Sequence, residues 1–384
     1  MFVSSNVKKS VRTCKISFFF AGVAMAAWAP LVPFLKTYLN ISHITLSYLI
    51  LCLGLGSILG MFLTSAMIKF LGAKKAFIVF ASVLTVSLGC VVYTPSFYIA
   101  FITVFFYGLA IGALEVGSNI FAAHLEKKHD LVLMPTMHGF YSSGEISLLL
   151  LVTALLHFAF SIQVVIMIPI IAIFAIFLLV SYGFSHIEIS KKKSFSMPRG
   201  IVLTFALIGA FILMVEGSML DWSSLLMLQK TDIAMHLSTS GYIVLVVFLT
   251  IGRFLGSFLI ERFSVYKVLF FGLLCSMFAL LLIFSFKSIP LLYLAFALLG
   301  LSMANIMPIA VSLSARQNNM PAISAISAVS SCAYLALILG PAFIGYIAGH
   351  LNLNTAFLIL ALIGIAITIL TRKGVYTFTK SLNI

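Results

Sequence analysis

The chain has 384 residues, 62% of them hydrophobic and 8% charged. A soluble domain runs near about 45–50% apolar and about 25% charged, so an ordinary globule is excluded, and so is a disordered chain, which needs low hydrophobicity. Lys and Arg number 23 against nine Asp and Glu, a formal balance of +14, and on so apolar a chain the question is where those charges fall relative to a bilayer.

A bilayer-crossing helix needs roughly 20 apolar residues. Uncharged apolar runs predict twelve of them, at 16–35, 45–68, 76–94, 97–123, 135–157, 162–184, 200–221, 238–260, 268–286, 289–313, 321–349 and 353–371. They do not alternate apolar and polar residues at period two, which argues against barrel strands. Lys8, Lys9, Arg12 and Lys15 precede the first run in the manner of a signal peptide. That run is longer than a signal core, and its removal would leave an odd count, so it is read as a retained helix. The longest polar stretch, 185–199, carries Lys191, Lys192, Lys193 and Arg199 and falls between the sixth and seventh runs. The expected architecture is all-α and integral to the membrane: two six-helix bundles, 1–184 and 200–384, joined by a cytoplasmic loop at 185–199.

With the N-terminus assigned to the cytoplasm, 19 basic residues fall on that side and three (Lys36, Lys230 and Lys287) on the other, with Arg253 inside a run. Such a split orients multi-pass proteins with their basic loops inside. It predicts a bacterial inner-membrane protein with both termini cytoplasmic, and it reads the +14 as topology rather than nucleic-acid binding. The five cysteines share no metal spacing. No metal or cofactor is expected, and without a nucleophile or nucleotide motif neither is an enzyme.

An offset of 192 residues lays Gly60 on Gly252 and Gly108 on Gly300, and brings the segment ending Lys69-Phe70-Leu71-Gly72 onto Glu261-Arg262-Phe263-Ser264. These matches support two related halves. Gly56 with Gly60, Gly108 with Gly112 and Gly252 with Gly256 are small-xxx-small patterns, suited to close helix packing.

Ionisable groups inside a span cost several kcal/mol unless they are partnered or face water. In chain order, the first span offers Trp28, which would either stack on a sugar ring or join the interfacial aromatic belt. On the fourth, Gly108, Gly112, Glu115, Asn119 and Ala122 share one small, polar face, suited to a cavity wall or to a packing face. Glu115 and Glu145, on the fourth and fifth spans, lie at roughly 15 Å from the same membrane face. Two acids at one depth can share a proton, because like charges raise one pKa. Glu115 is the expected titrating group; Glu145 either assists it or pairs structurally. His138, Tyr141 and Glu145 share a face, and His138 either relays protons or bonds locally. Glu216 is placed in the outer half of the seventh helix, for substrate or a second proton, and Asp221 at the outer rim as a cap or gate contact. Arg253 would bind an anionic solute or pair near the inner gate. Asn305 on the tenth span and Tyr334, in a stripe with Ser324, Ser327 and Ser331 on the eleventh, suit a hydroxyl-rich solute.

Twelve spans, a central basic loop and the repeat resemble the major facilitator superfamily. Its signature loop after helix two has counterparts in Gly72, Lys74 and Lys75 and in Gly252-Arg253 with Glu261-Arg262, while Lys69 stands where an acid is usual. The resemblance implies gating roles for Lys69, Gly72, Arg253, Glu261 and Arg262. Gly108 to Asn119 and Met137 to Gly144 resemble the fucose permease branch, and Glu216-Gly217-Ser218, Asp221-Trp222 and Tyr334 to Pro341 resemble YbjJ-type inner membrane proteins. That branch implies proton-coupled uptake of a sugar-like solute with Glu115 carrying the proton, although residues 16–35 lack the acid that the permease has on its first helix. The expectation is a secondary transporter working by alternating access as a monomer, with a small-molecule solute, protons and the bilayer as partners. A proton-driven exporter of a drug, siderophore or metabolite and a non-transporting sensor or scaffold are the rival readings.

Overall fold

The computed structural model describes residues 5–129, 133–184 and 197–382. Lys191, Lys192, Lys193 and most of the expected central loop lie outside the described residues, as does Asp130. The described residues are all-helical, with twelve helical segments long and apolar enough to cross a membrane.

Two of those spans are broken. The first consists of α1 (Ser5–Ala26) and α2 (Trp28–Tyr38). The next five are α3 (His43–Leu71), α4 (Ala73–Val92), α5 (Phe97–His129), α6 (Met134–His157) and α7 (Ile162–Val180). The second half holds α8 (Ile201–Lys230), α9 (Ser240–Phe263), α10 (Val265–Ser285), the pair α11 (Ile289–Met303) and α12 (Ile306–Ala315), then α13 (Ala322–His350) and α14 (Leu353–Ser381). Proline explains both breaks. It has no N–H for the carbonyl four residues back, which is Ala26 for Pro30 and Ala304 for Pro308, and regular helix stops at those points.

The chain divides into two compact units, Met1–Ile41 with Tyr48–Lys191, and Ser42–Ser47 with Lys192–Ile384. In the first, α1 packs on α5, α6 and α7, and α4 on α5 and α7. In the second, α8 packs on α12, α13 and α14, α9 on α11, and α10 on α11 and α14.

The repeat recurs at the level of single contacts. A Cβ on Gly108 would run into the Leu53 carbonyl and one on Gly60 into that of Leu109; a Cβ on Gly300 would meet the Leu245 carbonyl and one on Gly252 that of Leu301. The second pair of contacts is the first displaced by 192 residues. The joint after the second helix of each unit repeats as well: Gly72 has φ 78°, ψ 156° and Ser264 has φ 88°, ψ 155°. Close backbone approach lets helices pack where only small residues stand.

Candidate functional site

In the first unit the seam between α3 and α5 takes up part of the expected cavity wall. Gly108 sits on Leu53 and Gly112 on Ser57, whose hydroxyl donates to the Gly108 carbonyl at 3.0 Å. These two glycines therefore serve packing, not a cavity. One and two turns on, Glu115 and Asn119 are half-buried, and the Asn119 amide donates to the Glu115 carbonyl at 3.1 Å. Glu145 on α6 is 8% exposed. It follows Gly144, whose missing side chain lets the Phe19 backbone of α1 approach, as Gly22 of α1 admits the Tyr141 backbone. Tyr141 itself is half-buried, and His138 is exposed with its ring edge-on to Phe18 at 5.5 Å.

Trp28 follows the break in the first span and is 1% exposed, its ring 6.2 Å from that of Tyr107. The Tyr107 hydroxyl donates to the Ala24 carbonyl just before the break. An indole closed in this way reaches neither a sugar nor the interfacial belt, so Trp28 is a packing residue here. Lys69 is exposed at the end of α3, and Gly72 has open space around its α-carbon. Glu126 at the end of α5 accepts from the Leu133 and Met134 N–H groups at 2.6 and 2.8 Å, capping α6 with a negative charge at its positive end.

In the second unit α8 runs to Lys230, nine residues beyond the expected end of that helix at 221. Two expectations change. Asp221 is 6% exposed inside the helix rather than standing at a rim. Glu216 lies midway along α8, not in its outer half. Its partner is Arg253 of α9, Nη2 to Oε1 3.7 Å, with the two side chains 41% exposed for Arg253 and 32% for Glu216. Arg253 therefore pairs at mid-span and not near a gate. Glu261 is eight residues on, about 12 Å along the helix, and it is exposed beside Arg262 at the end of α9.

Asn305 fills the break between α11 and α12. Its amide donates to the Gly252 carbonyl at 2.8 Å and its Oδ1 lies over Gly256, so it ties the broken span to α9 rather than facing a solute. Tyr334, Ser324 and Ser327 are half-buried on α13, and Ser331 is exposed. Trp222 is fully buried and donates from Nε1 to the Pro341 carbonyl at 2.8 Å.

The structure thus brings Glu216 and Arg253 together, a pairing that sequence reasoning missed. The available signal was depth: had α8 been extended through the apolar Leu225, Leu226 and Met227, both residues would have stood at the middle of their helices.

Twelve apolar helices in two repeat-related units, with an ionisable pair at mid-span, define a polytopic membrane transporter. The sequence profile of the Major Facilitator Superfamily matches residues 206–376. A protein of Yersinia pestis described as an uncharacterized MFS-type transporter is 31% identical over 363 residues, 94% of each chain. Membrane protein MosC of Rhizobium meliloti is 24% identical, over 94% of this chain and 89% of its own length. Among solved structures, the nucleoside transporter NupG superposes with a TM-score of 0.72 at 15% identity, covering 97% of this chain and 99% of its own. A D-xylose-proton symporter does so with a TM-score of 0.74 at 14% identity, covering 96% and 97%. The chain belongs to the major facilitator superfamily.

Proposed function

We propose that this transporter carries a sugar or comparable small polar solute into the cell by proton symport, working as a monomer by alternating access. Its place is the bacterial inner membrane, with both termini cytoplasmic. The observation that carries this reading is the Glu216–Arg253 pair, mid-span and partly open. Ionisable residues inside spans face the bundle interior or a water-filled cavity, and the partial exposure of this pair supports a water-filled solute path. Glu115 is assigned the transported proton: it is a half-buried acid in the interior of α5. Asn119, Tyr141 and Tyr334 are half-buried on their helices and suited to the uncharged part of a solute. The fucose permease-like segments around Glu115 favour import over export.

The test uses purified protein in proteoliposomes with an imposed inward proton gradient and a panel of sugars, polyols and sugar acids. Wild-type protein accumulates a panel member against its gradient. Glu115→Gln retains solute counterflow and loses accumulation, by about tenfold or more if one titrating group carries the coupling. Accumulation unchanged in Glu115→Gln removes that residue from the proton path. Efflux driven by the same gradient would reverse the direction and support the exporter reading.

A further inference from the structure

We infer that the solute carries one carboxylate, that this group docks on Arg253, and that Glu216 takes up a proton as it yields its place. The inference deepens the proposed function and rests on it.

Arg253 and Glu216 make their ion pair with each other, at a distance longer than a hydrogen bond, and among the described residues neither side chain has a hydrogen-bond partner. A guanidinium brings five N–H donors in a rigid fork that fits a carboxylate with two parallel bonds. Arg253 holds that fork unused at mid-span. It is also turned from the lipid. The large exposed apolar side chains of α9 near it, Ile251, Phe254, Leu255 and Phe258, stand roughly 100° or more around the helix from Arg253.

Charge balance then selects the solute. The empty pair is neutral. A bound carboxylate beside an ionised Glu216 leaves one uncompensated negative charge in a medium of low dielectric, which is costly. A proton on the Glu216 carboxylate restores neutrality. Carboxylate and proton therefore favour each other's binding, by the same factor in each direction. One guanidinium balances one charge, which favours a monocarboxylate over a phosphate monoester carrying about −1.5 to −2.

Few other groups compete for this role. Of the elements packed on α8, α9 brings Arg253 and, buried elsewhere on it, Tyr242, with Glu261 and Arg262 at its end. α13 brings Cys332, Tyr334, Tyr346 and, at its end, His350. α12 brings no ionisable side chain, and α14 none before Arg372. On α8 itself, Asp221 lies five residues on and Lys230 at the end.

The experiment compares D-gluconate and D-glucuronate with D-glucose and D-glucitol in the same proteoliposomes. Carboxylates are expected to be taken up preferentially. Arg253→Gln is expected to lower their uptake by about tenfold or more, and Arg253→Lys, which keeps the cation, to restore part of it and so exclude a folding defect. Glu216→Gln is expected to lower the protons carried per carboxylate by one. Preferential uptake of the neutral solutes, undiminished in Arg253→Gln, overturns the inference and leaves proton symport standing. Failure of every solute in both sets to move with the gradient overturns both.

Discussion

Ser264 joins α9 to α10 at φ 88°, ψ 155°, a backbone region essentially reserved for glycine. Holding a side chain there costs on the order of 1–3 kcal/mol, and Gly72 adopts the matching conformation in the first unit without that cost. Ser264→Gly is therefore expected to raise the Tm of the purified protein in detergent, and Gly72→Ser to lower it. A second contrast separates packing from composition. Gly108→Val forces a side chain into the Leu53 carbonyl and should cost roughly 1–3 kcal/mol of stability, read as a lower Tm, whereas Gly139→Ala meets nothing within 4 Å and should be neutral or slightly stabilising. Equal effects of these two substitutions would contradict the seam. At this scale the sequence was legible where geometry demands a small residue, as at Gly60 and Gly252. It was not legible where a polar side chain had several possible partners. Asn305 reads as a solute ligand until the break beside it exposes the Gly252 carbonyl as its acceptor, and nothing within its own helix announces a partner 53 residues away.

Helix ends set the character of the elements. Lys230 closes α8 by donating to the Ile283 and Phe284 carbonyls at the end of α10 and to Asn354 Oδ1 at 2.8 Å on α14. A cation on these carbonyls also opposes the negative end of the α10 dipole. Lys230→Met should cost about 2–3 kcal/mol, since it strands acceptors that had a charged donor, with the loss read as a lower Tm at unchanged helix content by circular dichroism. Sequence composition counted Lys230 only as an outside charge. Its structural role was hidden because a lysine at a span end serves topology and capping alike. Span number and most boundaries were legible because twenty apolar residues have few other uses. The end of α8 was not, because Asp221 and the serines after it resemble a helix terminus. The broken first and tenth spans were signalled by Pro30 and Pro308, but a span's apolar count does not change when one of its hydrogen bonds is missing.

The whole molecule repeats one six-helix plan twice, down to the glycine seams and the left-handed joints, yet the two copies carry different chemistry. Two acids inside spans, the half-buried Glu115 and the buried Glu145, belong to the first unit, and the Glu216–Arg253 ion pair belongs to the second. Divergence of this kind suits a division of labour in which Glu115 of the first unit carries a proton while the second unit holds the solute. The basic residues, gathered on one side of the chain's turns, predict that single cysteines at position 75 and at position 373, each introduced in place of a lysine, react with an impermeant thiol reagent only when spheroplasts are opened. Labelling of either in intact spheroplasts would reverse the proposed orientation. The central claim, solute uptake coupled to protons, is tested most directly by the pH inside wild-type proteoliposomes as solute is added outside without any imposed gradient. Acidification of the lumen in step with solute entry is expected in the wild type, with less acidification per solute in Glu115→Gln. Solute entry with no proton movement in the wild type would contradict it.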